Sequence, residues 1–569
     1  MRQLVSLGFL LSSLAWALVA CADEPASPGS SAAVSVDDSL AETAADDLTP
    51  RFHFVEGAEG AGLDASTWCG RPEKPHILES NGTGLALIDH DLDGDLDLYL
   101  VNGWRLEGDQ IVERGRDRFY ENAGDGSFVD VTEAAGLGGE AWGCGVAVGD
   151  ADGNGFPDLF VANFGPDALY LNQGDGSFGA VEDGPSIDGW SAGAVLFDAD
   201  GDGDEDLFVT AYIEADMDEV LGARPTLEWN GHAVMMGPFG LEGEANAFFE
   251  NLGGGRFREA TEHAGLSDVG LYFSFGVIAA DLDGDLDPDL YVANDSNPNY
   301  LYQNDGAGHF AEVGLWSGAA MDSHGAAQAG MGIATGDLDG DGLLDLFVTN
   351  FAEDGSTLYR NQGACLFDDD TLRAELMRAT YAPLSWGTAF ADFDLDGGLD
   401  LFVANGHIYP QADIVLEDGL GYRQPNLLLA GDGERFIDES ARAGPGLEVL
   451  GSSRGVAVGD LDGDGDLDMV VANVDAPPSL LRNDSPRRGN WLIVDAPAAV
   501  RITAIAAGRR FVRHRVRGGS FLSASDPRFH LGLGSATTVE RLEVHWIDGS
   551  TTTLSDLDAN RSLRVDRPD

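Results

Sequence analysis

A nine-residue acidic motif, D-x-D-x-[DN]-G-x-x-D, occurs seven times, and nothing else in the chain restricts its fold as strongly. The copies begin at Asp89, Asp150, Asp198, Asp281, Asp337, Asp392 and Asp460. Their side-chain oxygens at positions 1, 3, 5 and 9 come from Asp89, Asp91, Asp93 and Asp97; Asp150, Asp152, Asn154 and Asp158; Asp198, Asp200, Asp202 and Asp206; Asp281, Asp283, Asp285 and Asp289; Asp337, Asp339, Asp341 and Asp345; Asp392, Asp394, Asp396 and Asp400; and Asp460, Asp462, Asp464 and Asp468. One copy departs, with Leu286 at the glycine position. Together the seven copies hold 32 acidic residues in 63 positions.

The spacing has a physical cause. Oxygens at positions 1, 3, 5 and 9 converge on one point if the chain turns sharply around it, and glycine at position 6 permits the positive φ of that turn. A carbonyl near position 7 adds a further oxygen. A hard cation with six to eight oxygen ligands suits such a cage, and calcium suits it better than magnesium. We therefore expect about seven calcium ions. An EF-hand would need a bidentate Glu at position 12 and flanking helices. Position 12 here is Leu100, Val161, Val209, Val292, Val348, Val403 and Val471, inside apolar runs such as DLYLVNG and DLFVANF. Those runs read as buried strands. A second apolar run precedes each loop, as in WGCGVAVGD and SSRGVAVGD, so each loop joins two strands.

A second hairpin follows most copies: ENAGDGSF (121–128), LNQGDGSF (171–178), ENLGGGRF (250–257), YQNDGAGHF (302–310), LLLAGDGERF (427–436) and a degenerate YRNQGACLF (359–367). Turn glycines and a closing Phe suit a tight hairpin. One module is then four strands, which is a propeller blade. After Asn483 the seventh module lacks this hairpin, and RFHFVEGAEGAGLD (51–64) resembles the end of a module. Strands from both termini would close a ring of seven blades and leave no open edge. The expected fold is all-β, a seven-bladed propeller over 51–486 followed by a small β-sandwich-like domain over 487–569.

Charge separates those two parts. From Arg487 onward 13 Arg face 9 acidic residues, a net +4, whereas the first 486 residues carry 19 basic and 89 acidic residues, a net −70. A body this acidic repels nucleic acid and anionic membrane surfaces. In the tail, RRFVRHRVR (509–517) would alternate along a strand. Arg509, Phe511, Arg513, Arg515 and Arg517 would share one face; Arg510, Val512, His514 and Val516 would share the other and pack in the tail. Docking of the basic face on the acidic body ranks first, a solvated face second and an anionic glycan third.

The amino terminus reads as an address. Arg2 precedes an apolar run from Leu4 to Val19 that ends in Leu18-Val19-Ala20-Cys21. This resembles a bacterial lipobox, in which Cys21 would be lipidated; the alternative is an ordinary signal peptide with an incidental cysteine. By the same resemblance, Ala22 after the cysteine implies the outer membrane of a Gram-negative bacterium. Residues 22–50, rich in Ala, Ser, Asp and Pro, read as a disordered tether. Membrane contact is expected through the lipid only. Three cysteines remain, Cys69, Cys144 and Cys365, which permit one disulfide at most; the sequence leaves open whether Cys69 and Cys144 pair.

With these landmarks the propeller resembles the FG-GAP/VCBS repeats of integrin α-subunit heads. From about Arg51 the whole chain looks like the cartilage acidic protein family, including its bacterial members. The matching segments are ILESNGTGLALIDHDLDGDLDLYLVNG (77–103), YVANDSNPNYLYQN (291–304), AGMGIATGDLDGDGLLDLFVTN (329–350), LFVANGH (401–407) and SRGVAVGDLDGDGDLD (453–468). The tail, RGNWLIVDAP through FHLGLGSATTVERLEVHWIDGS (488–550), resembles the ASPIC/UnbV domain. The stretch after its first strand is shortened to Ala496–Val500, and the insert 212–245 lacks the cysteines often found there.

No nucleophile elbow, phosphate loop or zinc helix occurs, and no catalytic residue is selected. His407, just past a strand end, either lines a site or is a structural hydrogen-bonder, the commoner role. The resemblance implies a calcium-binding scaffold outside the cell, for adhesion or contact with an unidentified protein or glycan. The alternative is a polysaccharide-acting lyase or hydrolase working on the propeller face.

Overall fold

The structure is a computed structural model and describes residues 50–222, 226–238, 240–267, 270–416, 420–486 and 489–568. The expected leader, Cys21 and nearly all of the expected tether lie outside the described residues. Seven sheets of one plan follow each other along the chain. The first contains Leu85–Ile88, Asp97–Leu100, Arg118–Asn122 and Phe128–Asp130, each strand antiparallel to the next. The second to sixth begin with the strands Trp142–Gly149, Ser191–Phe197, Phe273–Ala280, Ile333–Gly336 and Ser385–Ala391. The seventh contains Ser453–Gly459, Asp468–Asn473 and Ser479–Asn483, and takes its last strand, Phe54–Glu56, from the other end of the chain. Phe54 stands opposite Asn483 as Phe128 stands opposite Asn122, so the amino-terminal residues supply the missing strand.

The first two strands of each sheet are almost wholly buried, which explains their unbroken apolar runs of Val, Leu, Phe and Ala. The first strands also touch in series. Each of the six named above packs on the next, Ser385–Ala391 packs on Ser453–Gly459, and that strand packs on Leu85–Ile88. Successive sheets share apolar clusters such as Phe197, Phe248, Val277, Leu290 and Phe310. Burial of this kind contributes about 25 cal/mol per Å² of apolar surface.

The tail forms two further sheets around its own core. One holds Phe529–Gly534, Asn490–Asp495 and, parallel to the latter, Arg561–Arg564. The other holds Arg509–His514, Ala499–Ala506, Thr538–Trp546 and Thr551–Asp558. Leu492, Ile502, Phe511, Leu531, Leu542 and Trp546 pack between them.

Between those sheets, residues 517–526 leave the tail and run among the seven first strands. Arg517–Gly518 pairs with the strand Phe273–Ala280. Ser520 exchanges backbone hydrogen bonds with Ile333 at 2.7 and 2.8 Å, and Ala524 does the same with Leu85 and Leu87 at 3.0 and 2.9 Å. Phe521 lies edge-on to Trp386 at 4.8 Å. One glycine in or just before every first strand makes room for this segment and for the neighbouring first strand: Gly84, Gly145, Gly193, Gly276, Gly332, Gly387 and Gly455. A methyl group on Gly84 would sit 1.7 Å from the Leu522 carbonyl oxygen, and one on Gly455 2.3 Å from Ser523 Oγ.

Candidate metal centres

Each acidic loop joins the first two strands of its sheet, and its four oxygen-bearing side chains are held by the loop's own backbone. At position 1, one carboxylate oxygen accepts the N–H of position 6, at 2.8–3.1 Å for Asp89, Asp150, Asp198, Asp337, Asp392 and Asp460. At position 3, Asp91, Asp152, Asp200, Asp283, Asp339 and Asp394 accept the N–H of position 5 at 3.1–3.3 Å. At position 5, Asp93, Asn154, Asp202, Asp285, Asp341, Asp396 and Asp464 accept the N–H of position 7 at 2.8–3.1 Å.

Position 9 uses both oxygens. One, on Asp97, Asp158, Asp206, Asp289, Asp345, Asp400 and Asp468, accepts the N–H of position 2 at 2.8–3.3 Å. The other accepts a backbone N–H from the end of the third strand, as from Asn122 to Asp97 at 2.9 Å. Apart from Asp462, which Arg482 holds, the loop backbone therefore fixes where these carboxylates point while leaving oxygens at positions 1, 3 and 5 for a ligand.

Several of those oxygens are buried without a partner: Oδ1 of Asp89, Asp392, Asp460 and Asp462, and Oδ2 of Asp281. A buried unpaired carboxylate oxygen is costly. Burial pushes Asp89, Asp198 and Asp460 up to about 6, Asp158, Asp206, Asp345 and Asp392 to about 7, and Asp289 and Asp468 to about 8. A cation at the centre opposes that shift and occupies the free oxygens. The groups Asp89, Asp91 and Asp93; Asp150, Asp152 and Asp158; and Asp198, Asp200 and Asp202 each bring ligand oxygens within 4.8 Å of one another. An all-oxygen set of this kind fits calcium.

The departing copy keeps the loop path. Position 6 has φ between +89° and +98° at the six glycines and +81° at Leu286. Position 4 is left-handed as well, with leucine at Leu92 and Leu395 and glycine in the other five copies. Leucine at φ +81° is strained, at a cost of about 1–3 kcal/mol. A second peculiarity marks this copy. The buried thiol of Cys365, from the next sheet's hairpin, lies with Asp283 and Asp289 inside the same 4.8 Å. Cys69 and Cys144 are both buried free thiols.

Two sets of structural residues escape a reading centred on the loops. Asparagine ends the third strand in six sheets and staples each loop to the one before it. Asn122 donates to the Leu461 carbonyl at 2.8 Å, Asn172 to His90, Asn251 to Ala151, Asn304 to Ala199, Asn361 to Leu282, and Asn483 to Phe393. The first-strand glycines are the other set, each five positions before its loop, from Gly84 before Asp89 to Gly455 before Asp460. Both signals are plain in the repeats once the strands are aligned on the loops.

The tail lies against the loop end. Arg528 donates to the Gly94 carbonyl at 2.8 Å, and Arg509 to that of Asp396 at 2.9 Å. His514 and His530 reach the Gly342 and Gly465 carbonyls, both at 3.0 Å, and Arg517 pairs with Glu205. The expected division of the basic strand into faces does not hold. Arg513 and Arg515 turn back on the tail's own carbonyls, of His530 at 3.2 Å and Ala499 at 3.2 Å. Phe511 enters the tail core, while His514 from the other face reaches the body. Carbonyl oxygens of the loop turns, more than carboxylates, are the acceptors.

His407 is 2% exposed, beneath Trp229 and Tyr409 at 5.2 and 5.4 Å. Its Nδ1 accepts the Tyr409 N–H at 3.0 Å, and burial lowers its pKa to about 4. It is a structural hydrogen-bonder.

The loops match the FG-GAP-like repeat over residues 89–161, 150–209, 281–348 and 337–403, and the tail matches ASPIC and UnbV over 497–569. This is an FG-GAP repeat protein with an ASPIC and UnbV domain. It is distantly homologous to cartilage acidic protein 1, at 29% identity over 283 residues of the Mus musculus protein and 28% over 277 of the Homo sapiens one. Those matches cover 47% and 46% of this FG-GAP protein, and 41% and 39% of the relatives, so the chain spans about two fifths of their length. Among solved structures, it resembles a lectin of Agrocybe aegerita that recognises non-reducing terminal N-acetylglucosamine (15% identity, TM-score 0.37, covering 71% of this chain and 94% of that one). It also resembles the Vibrio biofilm matrix protein Bap1 of V. cholerae (13%, 0.32, 89% and 62%).

Proposed function

We propose that this chain is an exported, lipid-anchored scaffold: a seven-bladed propeller over 51–486 whose acidic loops bind calcium, capped by the domain over 487–569. The observation that carries the reading is the largely backbone-held set of carboxylates in each loop, with buried unpartnered oxygens in the first, fourth, sixth and seventh. The closed succession of first strands and the shared last sheet support the blade count. A signal ending at Cys21 and the tether to residue 50 would display the propeller at the outer membrane.

As a scaffold, it would meet an adhesion partner, protein or glycan, at the end away from the tail. There Trp68, Arg105, Tyr422, Arg423 and Asp475 line a cavity of about 750 Å³. An enzyme working through His407 is disfavoured because that ring is sealed off from solvent. The test is a glycan array probed with the purified chain in calcium, with product analysis by mass spectrometry. Calcium-dependent retention without product supports the scaffold; cleaved glycan replaces it with the lyase or hydrolase reading.

A further inference from the structure

The sixth loop differs from the others in what faces its carboxylates. The guanidinium of Arg51 donates to Asp394 through Nε, and through Nη2 to Asp396 at 2.9 Å and Asp400 at 3.3 Å. These are positions 3, 5 and 9, three of the four ligand positions. Asp394 and Asp400 have side chains 1% and 0% exposed, so the pairs are shielded from water. Among the described residues, the arginines shown at other loops sit differently: Arg482 meets Asp462 in the seventh loop, and Arg360 meets Asp345 in the fifth and then turns to Asp370 outside its loop.

The sequence around the sixth sheet explains how an arginine fits. The residue before the strand-ending Asn reaches its own loop in three other sheets: Gln303 to Asp283 at 2.5 Å, Arg360 to Asp345 at 2.8 Å, and Arg482 to Asp462. In the sixth sheet those two positions are Ala430 and Gly431, and both long side chains are gone. The neighbour that elsewhere lays a glycine hairpin turn beside the loop is also different. Here it is the amino-terminal strand, and Arg51 occupies the place that Asp125 holds in the first sheet, three residues before the closing Phe.

We propose that Arg51 is the resident cation of the sixth loop, so that this loop takes no calcium. A guanidinium satisfies carboxylates by directional hydrogen bonds and stays charged. A divalent ion at the same oxygens would have to displace it or sit against like charge. The consequence is a calcium-independent latch: Arg51 stands three residues before the strand that completes the seventh sheet, and it ties that segment to the sixth.

The inference rests on the calcium reading of the remaining loops, and its test separates the two. Bound calcium is counted by mass spectrometry on the full chain dialysed against millimolar calcium. We expect six ions in the wild type and seven in Arg51→Ala. If Arg51→Ala does not fold, Asp394→Asn/Asp396→Asn serves instead and should leave six, whereas Asp339→Asn/Asp341→Asn in the fifth loop should leave five. Seven ions in the wild type, no gain in a folded Arg51→Ala, or a loss of one ion in Asp394→Asn/Asp396→Asn overturns the proposal. Two ions or fewer in the wild type and the Asp339→Asn/Asp341→Asn variant alike defeats the calcium reading itself.

Discussion

At one end of the first strands the chain turns through seven copies of one acidic loop; at the other a recurring Asn (Asn102, Asn163, Asn294, Asn350, Asn405 and Asn473) leads into segments of unequal length and sequence. The loop end is held by backbone. Nearly every ligand-position carboxylate accepts a loop N–H group, and the tail's arginines and histidines take loop carbonyls. The opposite end is held by aromatic packing around a few buried ions. Arg454, 0% exposed, stacks on Trp386 at 4.0 Å and donates to the Ser453 carbonyl at 2.8 Å. Lys74 donates to the Cys69 carbonyl at 2.7 Å and to Asp475 at 2.6 Å. Buried charge survives at that end because its groups are hydrogen-bonded within the chain, whereas the loop end gathers like charge that the chain's own arginines meet only in part. One end pairs its charges within the polypeptide, and the other gathers acidic groups that could hold a cation.

The segment joining the two ends offers the largest effect. Phe521 is wholly buried against Trp386 and Phe275. Phe521→Ala should cost about 3–5 kcal/mol by chemical denaturation. A loss below about 1 kcal/mol would mean that the tail segment merely rests among the first strands.

A smaller effect should come from His407, at the end opposite the acidic loops. Burial holds its ring neutral down to about 4, whereas an exposed histidine takes up a proton near 6.5. The unfolded chain then binds more protons between those values, so stability is complete above about pH 6.5 and falls as pH drops toward 4. Between pH 7 and 5 the wild type should lose about 2 kcal/mol more than His407→Gln, with the loop carboxylates common to both. Equal losses would place His407 in contact with water.

The smallest effect belongs to the loop end. Leu286→Gly removes the only leucine at position 6, where φ is +81°, and should stabilise the chain by about 0.5–1 kcal/mol. Destabilisation would show that the leucine side chain is needed for packing.

The repeated end was legible in the sequence, and the other end was not. Spacing alone located the acidic loops between the first two strands of each sheet, because a loop that must converge oxygens on one point allows few patterns. The missing strand was legible because RFHFVEG (51–57) matches the end of a module. The alternation rule misplaced the faces of 509–517, since Arg513 and Arg515 found carbonyls inside the tail. Arg51 on the sixth loop and Arg454 on Trp386 depend on side chains 343 residues apart in the first case and on unrepeated segments in the second, and no periodicity reports either.

The central claim is that cations complete the loop end, and calorimetry of the full chain with calcium and then with excess chelator tests it most directly. Each loaded loop adds RT ln(1 + [L]/Kd), or about 1 kcal/mol when calcium stands several-fold above Kd. The account predicts a melting temperature several degrees lower in chelator, restored when calcium returns. The same melting temperature in both conditions would contradict it.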